Sequence, residues 1–233
     1  MHSIIFINTK EQGRENDRTA EMDNMVKFCS DIADALGYKH NLLTRSDREF
    51  TRVTMDKDIS SLNVEEGDIV VFYFDGHGRN KDMNEWPHMD LQDKEYWLSI
   101  AYSRLKRYCI KAKLTLCIAS CCNLCYEGDM AENAIVKRTS MNPEKVKKLF
   151  TGFEGNMSII MSSCKAGQNS WSFTRGSKLG SLFSICLRET IREAMSRTGS
   201  SLLTWEAVLE RAKFKTKYYN EKRQEPQYLI EYH

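Results

Sequence analysis

Apolar positions along this chain follow two periods that take turns. Residues 4–7 form a short continuous apolar run that reads as a strand, and residues 19–36 carry an apolar stripe at helical spacing that Gly37 stops. A second strand is expected near 40–44, a helix over 48–62, and a Glu-Glu-Gly turn leading into the apolar run 69–74. The alternation continues with a helix over 96–110, a strand over 114–119, a helix over 143–150 and a strand over 157–162. Helices over 180–197 and 204–215 follow, the first with Leu182, Phe183, Cys186, Leu187 and Ile191 on one face, and residues 227–232 close the chain as a strand. Strands that are apolar on both faces belong in a covered, mostly parallel sheet, so the expected fold is α/β, about six strands flanked by helices on both faces. Between these elements, residues 79–93 read as a polar irregular loop, 126–156 as a long excursion with no strand pattern, and 165–178 as a Gly/Ser/Lys-rich loop.

Composition narrows the class. The chain has 233 residues, 41% of them hydrophobic, enough to bury a substantial core, and its three prolines and twelve glycines form no linker. A single domain over 1–233 is expected. The balance of 34 basic against 32 acidic residues, a net charge of +2, makes no general electrostatic case for nucleic acid or an anionic membrane. The basic stretch 213–223 is the local exception and reads as a solvated helix end. Residues 1–8 lack the basic start and apolar core of a signal peptide, and no apolar run reaches transmembrane length, so a cytoplasmic location is expected. In that setting the eight cysteines are read as buried, reactive or metal-bound rather than disulfide-paired.

The chemistry concentrates at two strand ends. Asp68-Ile-Val-Val-Phe-Tyr-Phe-Asp-Gly-His-Gly78 finishes one apolar run and Lys113-Leu-Thr-Leu-Cys-Ile-Ala-Ser-Cys-Cys-Asn123 another. In an open parallel sheet the carboxyl ends of neighbouring strands frame the crevice where chemistry happens, and there His77 would meet a cysteine. A thiolate is a strong nucleophile, and a nearby imidazole can take its proton, so the pair reads as covalent catalysis by a cysteine hydrolase.

These residues resemble the caspase-like peptidases, the superfamily of caspases, metacaspases and their bacterial relatives. Phe72-Tyr-Phe-Asp-Gly-His-Gly78 is similar to the family's Tyr-x-Ser-Gly-His-Gly, and Ser120-Cys-Cys-Asn123 to its Asp-x-Cys-His/Asn nucleophile turn. Ser162-Ser-Cys-Lys-Ala-Gly-Gln-Asn-Ser170 resembles the metacaspase Cys-x-x-x-Gln-x-Ser, Gly180-Ser-Leu-Phe-Ser184 the Gly-x-Phe-Thr helix start, and Gln224-Glu-Pro-Gln-Tyr228 the Gln-x-Pro before the last strand. The resemblance implies a caspase-like sandwich, with a large-subunit-like part over 1–140, a small-subunit-like part over 156–233 and a loop between them; the stretch 126–156, which carries Lys137-Arg138, lies where the family is often cut on activation, and an uncut surface loop stands beside that reading. It makes Cys122 the nucleophile, His77 the general base and acid, and the N–H groups of Gly78 and Cys122 the oxyanion hole of a cysteine endopeptidase acting on protein or peptide substrates. Gly76 and Gly78 are read as positions where glycine permits positive φ and close approach of substrate.

Two cysteines compete for the nucleophile's place. Alignment on Ser120 and Asn123 selects Cys122, whereas sliding by one selects Cys121 and loses the Asn match. Neighbouring side chains on an extended strand end point to opposite sides, so only one of them can face His77. Cys117, Cys125 and Cys164 are read as small buried hydrophobes. Ser120 and Ser172 stand where metacaspases place the acids that accept Arg or Lys, so cleavage after a basic residue is expected with reduced selectivity, and Asp75 could supply a charge to that pocket. Arg175 is the one loose counterpart of the arginines with which caspases select Asp. No cofactor or metal is expected, and neither a nucleic acid nor a membrane is an expected partner; a regulatory protein is possible in principle. Three other readings stand beside the peptidase: a catalytically silent interaction module of the same fold, a thiol-disulfide oxidoreductase on Cys122-Asn-Leu-Cys125, and a zinc site built from Cys117, Cys121, Cys122 and Cys125.

Overall fold

The computed structural model describes residues 1–10, 15–46, 49–80, 84–122, 128–129, 141–173, 180–196 and 203–233. At its centre six strands run in the order β12-β9-β7-β3-β1-β2: β1 (Ser3–Lys10), β2 (Lys39–Ser46), β3 (Ile69–Asp75), β7 (Leu114–Ser120), β9 (Met157–Ser162) and β12 (Gln227–Tyr232). All neighbouring pairs are parallel except β12 with β9. The central strands β3 and β7 are buried at every position, which is why their sequences read as unbroken apolar runs.

Helices α1 (Glu15–Leu36), α4 (Pro143–Thr151), α5 (Leu182–Met195) and α6 (Trp205–Tyr219) cover one face, and α2 (Arg52–Ser60) and α3 (Leu98–Tyr108) the other. Alternate strand residues divide between the two cores. Ile69, Val71, Tyr73, Leu114, Leu116 and Ile118 pack against α1, α4, α5 and α6, while Val70, Phe72, Phe74, Cys117, Ala119 and Cys121 pack with α2 and α3. The starts of α2 and α4 are capped by side chains written into the sequence. The hydroxyl of Thr51 accepts the N–H of Thr54 at the start of α2, and the carboxamide of Asn142 accepts those of Glu144 and Lys145 ahead of Pro143 in α4.

Three loop expectations are corrected. Residues 79–93 contain β5 (His88–Asp90), which pairs with β4 (Gly78–Arg79) and β6 (Glu95–Trp97) in a small antiparallel sheet, so α3 starts at Leu98 rather than near 96. Residues 165–178 contain β10 (Trp171–Phe173), bound to β11 (Gly180–Ser181) on one side and, from within 126–156, to β8 (Gly128–Asp129) on the other. Strands of two or three residues leave too short a trace for period-two reading; their partners come from distant sequence. Among the described residues, no helix is long and apolar enough to cross a membrane.

Candidate active site

The strand register sets out the site. Asp75, the last residue of β3, lies opposite Ser120, the last of β7, and the N–H of Gly76 still reaches the carbonyl of Ser120 at 3.4 Å. His77 and Cys122 each follow two residues later, so they leave adjacent strands at the same level. His77 is partly exposed, and its carbonyl accepts the N–H of Asp90 at 3.0 Å. Arg79 grips the Asp90 carboxylate from two nitrogens, at 2.9 Å each at the closest, so the turn bearing His77 is clamped by the small β4-β5-β6 sheet.

Cys121 and Cys122 diverge. Cys121 is 2% exposed and sits in the α2/α3 core, while its carbonyl accepts the hydroxyl of Ser163 at 2.7 Å. Burial, and then the neighbouring Cys164, Cys122, Asp90 and Asp75, hold the Cys121 thiol well above the ordinary thiol range, which keeps it protonated and unreactive. The Cys122 side chain, 9% exposed, belongs to neither core. Its sulfur meets the main chain of Ser170, whose N–H points at it from 3.4 Å and whose carbonyl lies at 3.7 Å.

Gly76 and Gly78 do not take positive φ, contrary to expectation. Gly78 is needed for space: a Cβ there would lie 2.6 Å from Cys121 Sγ and 2.7 Å from the carbonyl oxygen of His88. Glycine at this position therefore lets β4 lie directly on the buried cysteine.

On the face that Cys122 shares with Ser120, the wall becomes polar. The hydroxyl of Tyr73, two residues before Asp75, donates to Glu21 at 2.7 Å and lies 2.8 Å from that of Ser184. Arg188 holds both Glu21 oxygens, and Glu21 and Arg188 are 0% and 4% exposed. Burial and the adjacent Glu21 raise the Tyr73 phenol well above its ordinary value, so it stays a donor. Above this network, Ser120 is 4% exposed with its hydroxyl unbonded among the described residues. Ser172 lies on β10 opposite Ser181, two residues past Ser170. Asp75, His77, Ser120 and Cys122 thus share one stretch of two strand ends, and Ser172 comes from the loop that folds over them.

Sequence reading missed the contact of the Ser170 main chain with Cys122, the Arg79–Asp90 clamp and the Glu21–Arg188 pair. Glu21 precedes Met25, Phe28, Cys29 and Ile32 at helical spacing, and Arg188 follows Ser184 and precedes Ile191, so a charge within each apolar stripe was the available signal. Asn123, Cys125, Lys137, Arg138 and Arg175 lie outside the described residues, and with them three of the four residues of the oxidoreductase motif and the Lys137-Arg138 part of the expected activation loop. The seven described cysteines are all buried, and none of them is in a disulfide. Cys117 and Cys121 face the apolar core away from Cys122, which separates three members of the zinc set considered above.

Comparison with known proteins gives the family and the fold. The family model Peptidase_C14, caspase domain, matches residues 5–231. Similar solved structures include protein GSU0716 from Geobacter sulfurreducens, with a TM-score of 0.58 and 14% identity over 98% of this chain and 93% of that one. Caspase-1 from Spodoptera frugiperda has a TM-score of 0.58 and 16% identity, over 98% of this chain and 88% of the insect protein. A search of curated protein sequences finds no match.

Proposed function

Because the chain belongs to the caspase-domain family, we propose that it is a cysteine endopeptidase working through Cys122 and His77. The observation that carries this reading is the shared register of β3 and β7, which brings His77 and Cys122 off neighbouring strands at one level while Cys121 turns into the core. In the proposed reaction His77 takes the thiol proton as Cys122 Sγ attacks the scissile carbonyl carbon. The oxyanion is held by the N–H groups of Gly78 and Cys122, donors on fixed backbone of the kind that contributes roughly 3–4 kcal/mol each. Collapse of the tetrahedral intermediate breaks the C–N bond as His77 protonates the leaving amine, and water then hydrolyses the thioester with His77 as base. No cofactor enters these steps.

For specificity we infer a basic residue before the scissile bond, with Asp75 as the carboxylate beside Ser120 and with Ser172 closing the pocket from β10. Asp75 is 9% exposed at the strand end, and a buried carboxylate at a pocket wall attracts a cation more strongly than one in water.

The test is labelling of the full chain with a chloromethyl-ketone peptide ending in Arg, read by peptide mass spectrometry. Modification of Cys122 that disappears in His77→Ala is the expected result. Equal labelling of Cys122 with and without His77 would remove the dyad and leave a silent interaction module as the reading.

A further inference from the structure

The loop that meets the Cys122 sulfur is tied at both ends by one buried side chain. Gln224 is 0% exposed; its Nε2 donates to the carbonyl of Ser163 at 2.7 Å and its Oε1 accepts the N–H of Trp171 at 3.0 Å. Ser163 directly follows β9 and Trp171 begins β10, so one carboxamide ties together both ends of the loop between them. Ser170 is the neighbour of the second anchor, and its N–H is the one aimed at Cys122 Sγ.

The surroundings of Gln224 are built to hold it in place. Asn220 Nδ2 reaches its Oε1 at 3.4 Å, and the next residue, Glu225, accepts the N–H of Lys165 and donates its own N–H to Gln168 Oε1 at 2.8 Å. The Glu225 carboxylate is ringed by Lys165 at 2.9 Å, Lys213 at 3.3 Å and Lys217 at 3.2 Å. The chain reaches Gln224 from α6 through Glu221 and Lys222, both at positive φ (56° and 69°), a left-handed pair without glycine. Such a backbone costs about 1–2 kcal/mol per residue, and it persists only where the surrounding contacts hold it.

We propose that Gln224 is a positioning residue whose carboxamide holds the Ser170 N–H on the Cys122 sulfur, so that this main-chain donor stabilises the thiolate. The proposal rests on Cys122 being the nucleophile. An N–H donor favours the charged form of the group it faces, and it can do so only if its own backbone does not drift. The titratable and charged groups gathered here are His77 and Asp75 at the end of β3, the Tyr73–Glu21–Arg188 network on the same face, Asp90 from β5, Cys121, Cys164 just after β9, and Lys165 with Glu225 on the outer side of the loop. Replacing Gln224 by an apolar side chain of similar volume alters none of these charges, so a changed titration of Cys122 reports the loss of the donor.

The experiment measures iodoacetamide modification of Cys122 across pH, by peptide mass spectrometry on the full chain, in the parent, Gln224→Met and Ser170→Pro. Ser170→Pro removes the N–H and leaves Gln224 in place. Both profiles are expected to move to higher pH by about one unit, a tenfold lower thiolate fraction at fixed pH. Superposition of Gln224→Met on the parent overturns the positioning role, and superposition of Ser170→Pro overturns the donor. If Gln224→Met does not fold, Ser170→Pro alone decides whether the donor exists, and an unmoved profile there sinks the proposal. Failure of the nucleophile assignment looks different: Cys122→Ala would then keep peptidase activity whatever the profiles do.

Discussion

The two faces of the sheet treat their last residues differently. On the α2/α3 face apolar packing runs to the very end and past it, through Phe72 and Phe74 on β3 and Cys117, Ala119 and Cys121 on and after β7. On the α1/α5 face it stops earlier: Val71 gives way to Tyr73 and Asp75, and Ile118 to Ser120 and Cys122, above the Glu21–Arg188 pair. The same strand ends therefore close a core on one side and frame a polar crevice on the other. A slip of one residue would exchange the two sides, turning Cys122 into the α2/α3 core and Cys121 out of it.

The largest effects test whether the two cysteines are divided as described. Cys122→Ala and His77→Ala are each expected to lower peptidase activity by at least about a thousandfold, since groups acting as one unit fail together. Cys121→Ala should keep most of the activity while losing about 1–2 kcal/mol of stability in urea unfolding, as a small buried group leaves a gap. A folded but inactive Cys121→Ala would break the comparison.

Next comes the polar floor of the crevice. Arg188→Met leaves Glu21 buried without its guanidinium and is expected to cost about 3–5 kcal/mol, whereas the double variant Glu21→Leu/Arg188→Met should recover most of that loss. Chemical unfolding of both variants checks this. If the single and double variants prove equally unstable, the loss lies in packing rather than in the charge pair.

A smaller, pH-dependent effect belongs to Glu225, whose carboxyl is held down to about 2 by hydrogen bonds to Lys165 and then, against its partial burial, to Lys217 and Lys213. The folded value lies below the ordinary 4.5, so the contribution is fully present above that pH and is lost as pH falls towards about 2. Its upper limit is about 3 kcal/mol, reduced by solvent around this partly exposed cluster. In unfolding measured between neutral pH and pH 2, the stability gap between parent and Glu225→Gln should close as the pH drops. A gap independent of pH would remove the ion cluster as its cause.

The smallest expected change is in selectivity. Asp75→Asn should reduce the preference for Arg or Lys before the scissile bond by several-fold in a peptide library without abolishing cleavage. Unchanged preference would assign the pocket charge elsewhere.

The sheet was legible because β3, β7 and β9 are long and apolar on both faces, and α1 and α5 carry stripes that helical spacing reveals. The Gly-His-Gly and Ser-Cys-Cys ends were legible for the same reason: they terminate readable strands. The clamp of β4, β5 and β6 on His77 was not, because strands of two or three residues have no period to detect and Arg79 finds Asp90 only once the hairpin exists. The reason for Gly78 was misread, since the obstacle to a side chain there is Cys121, 43 positions further along, rather than the local backbone.

By itself the sequence determined the order of strands and helices and the alternation that turns two adjacent cysteines to opposite sides of one strand end. These are local properties, carried by periodicity and by the chirality and pleat of the backbone. What only the tertiary structure decided is which distant groups complete the crevice: Glu21 with Arg188 across 167 positions, Ser170 against Cys122 across 48, and Gln224 joined to Ser163 across 61. Such pairs leave no local pattern. Each polar partner looks like an ordinary surface residue until folding buries it, and the cost of burying it alone then selects the one neighbour that can satisfy it.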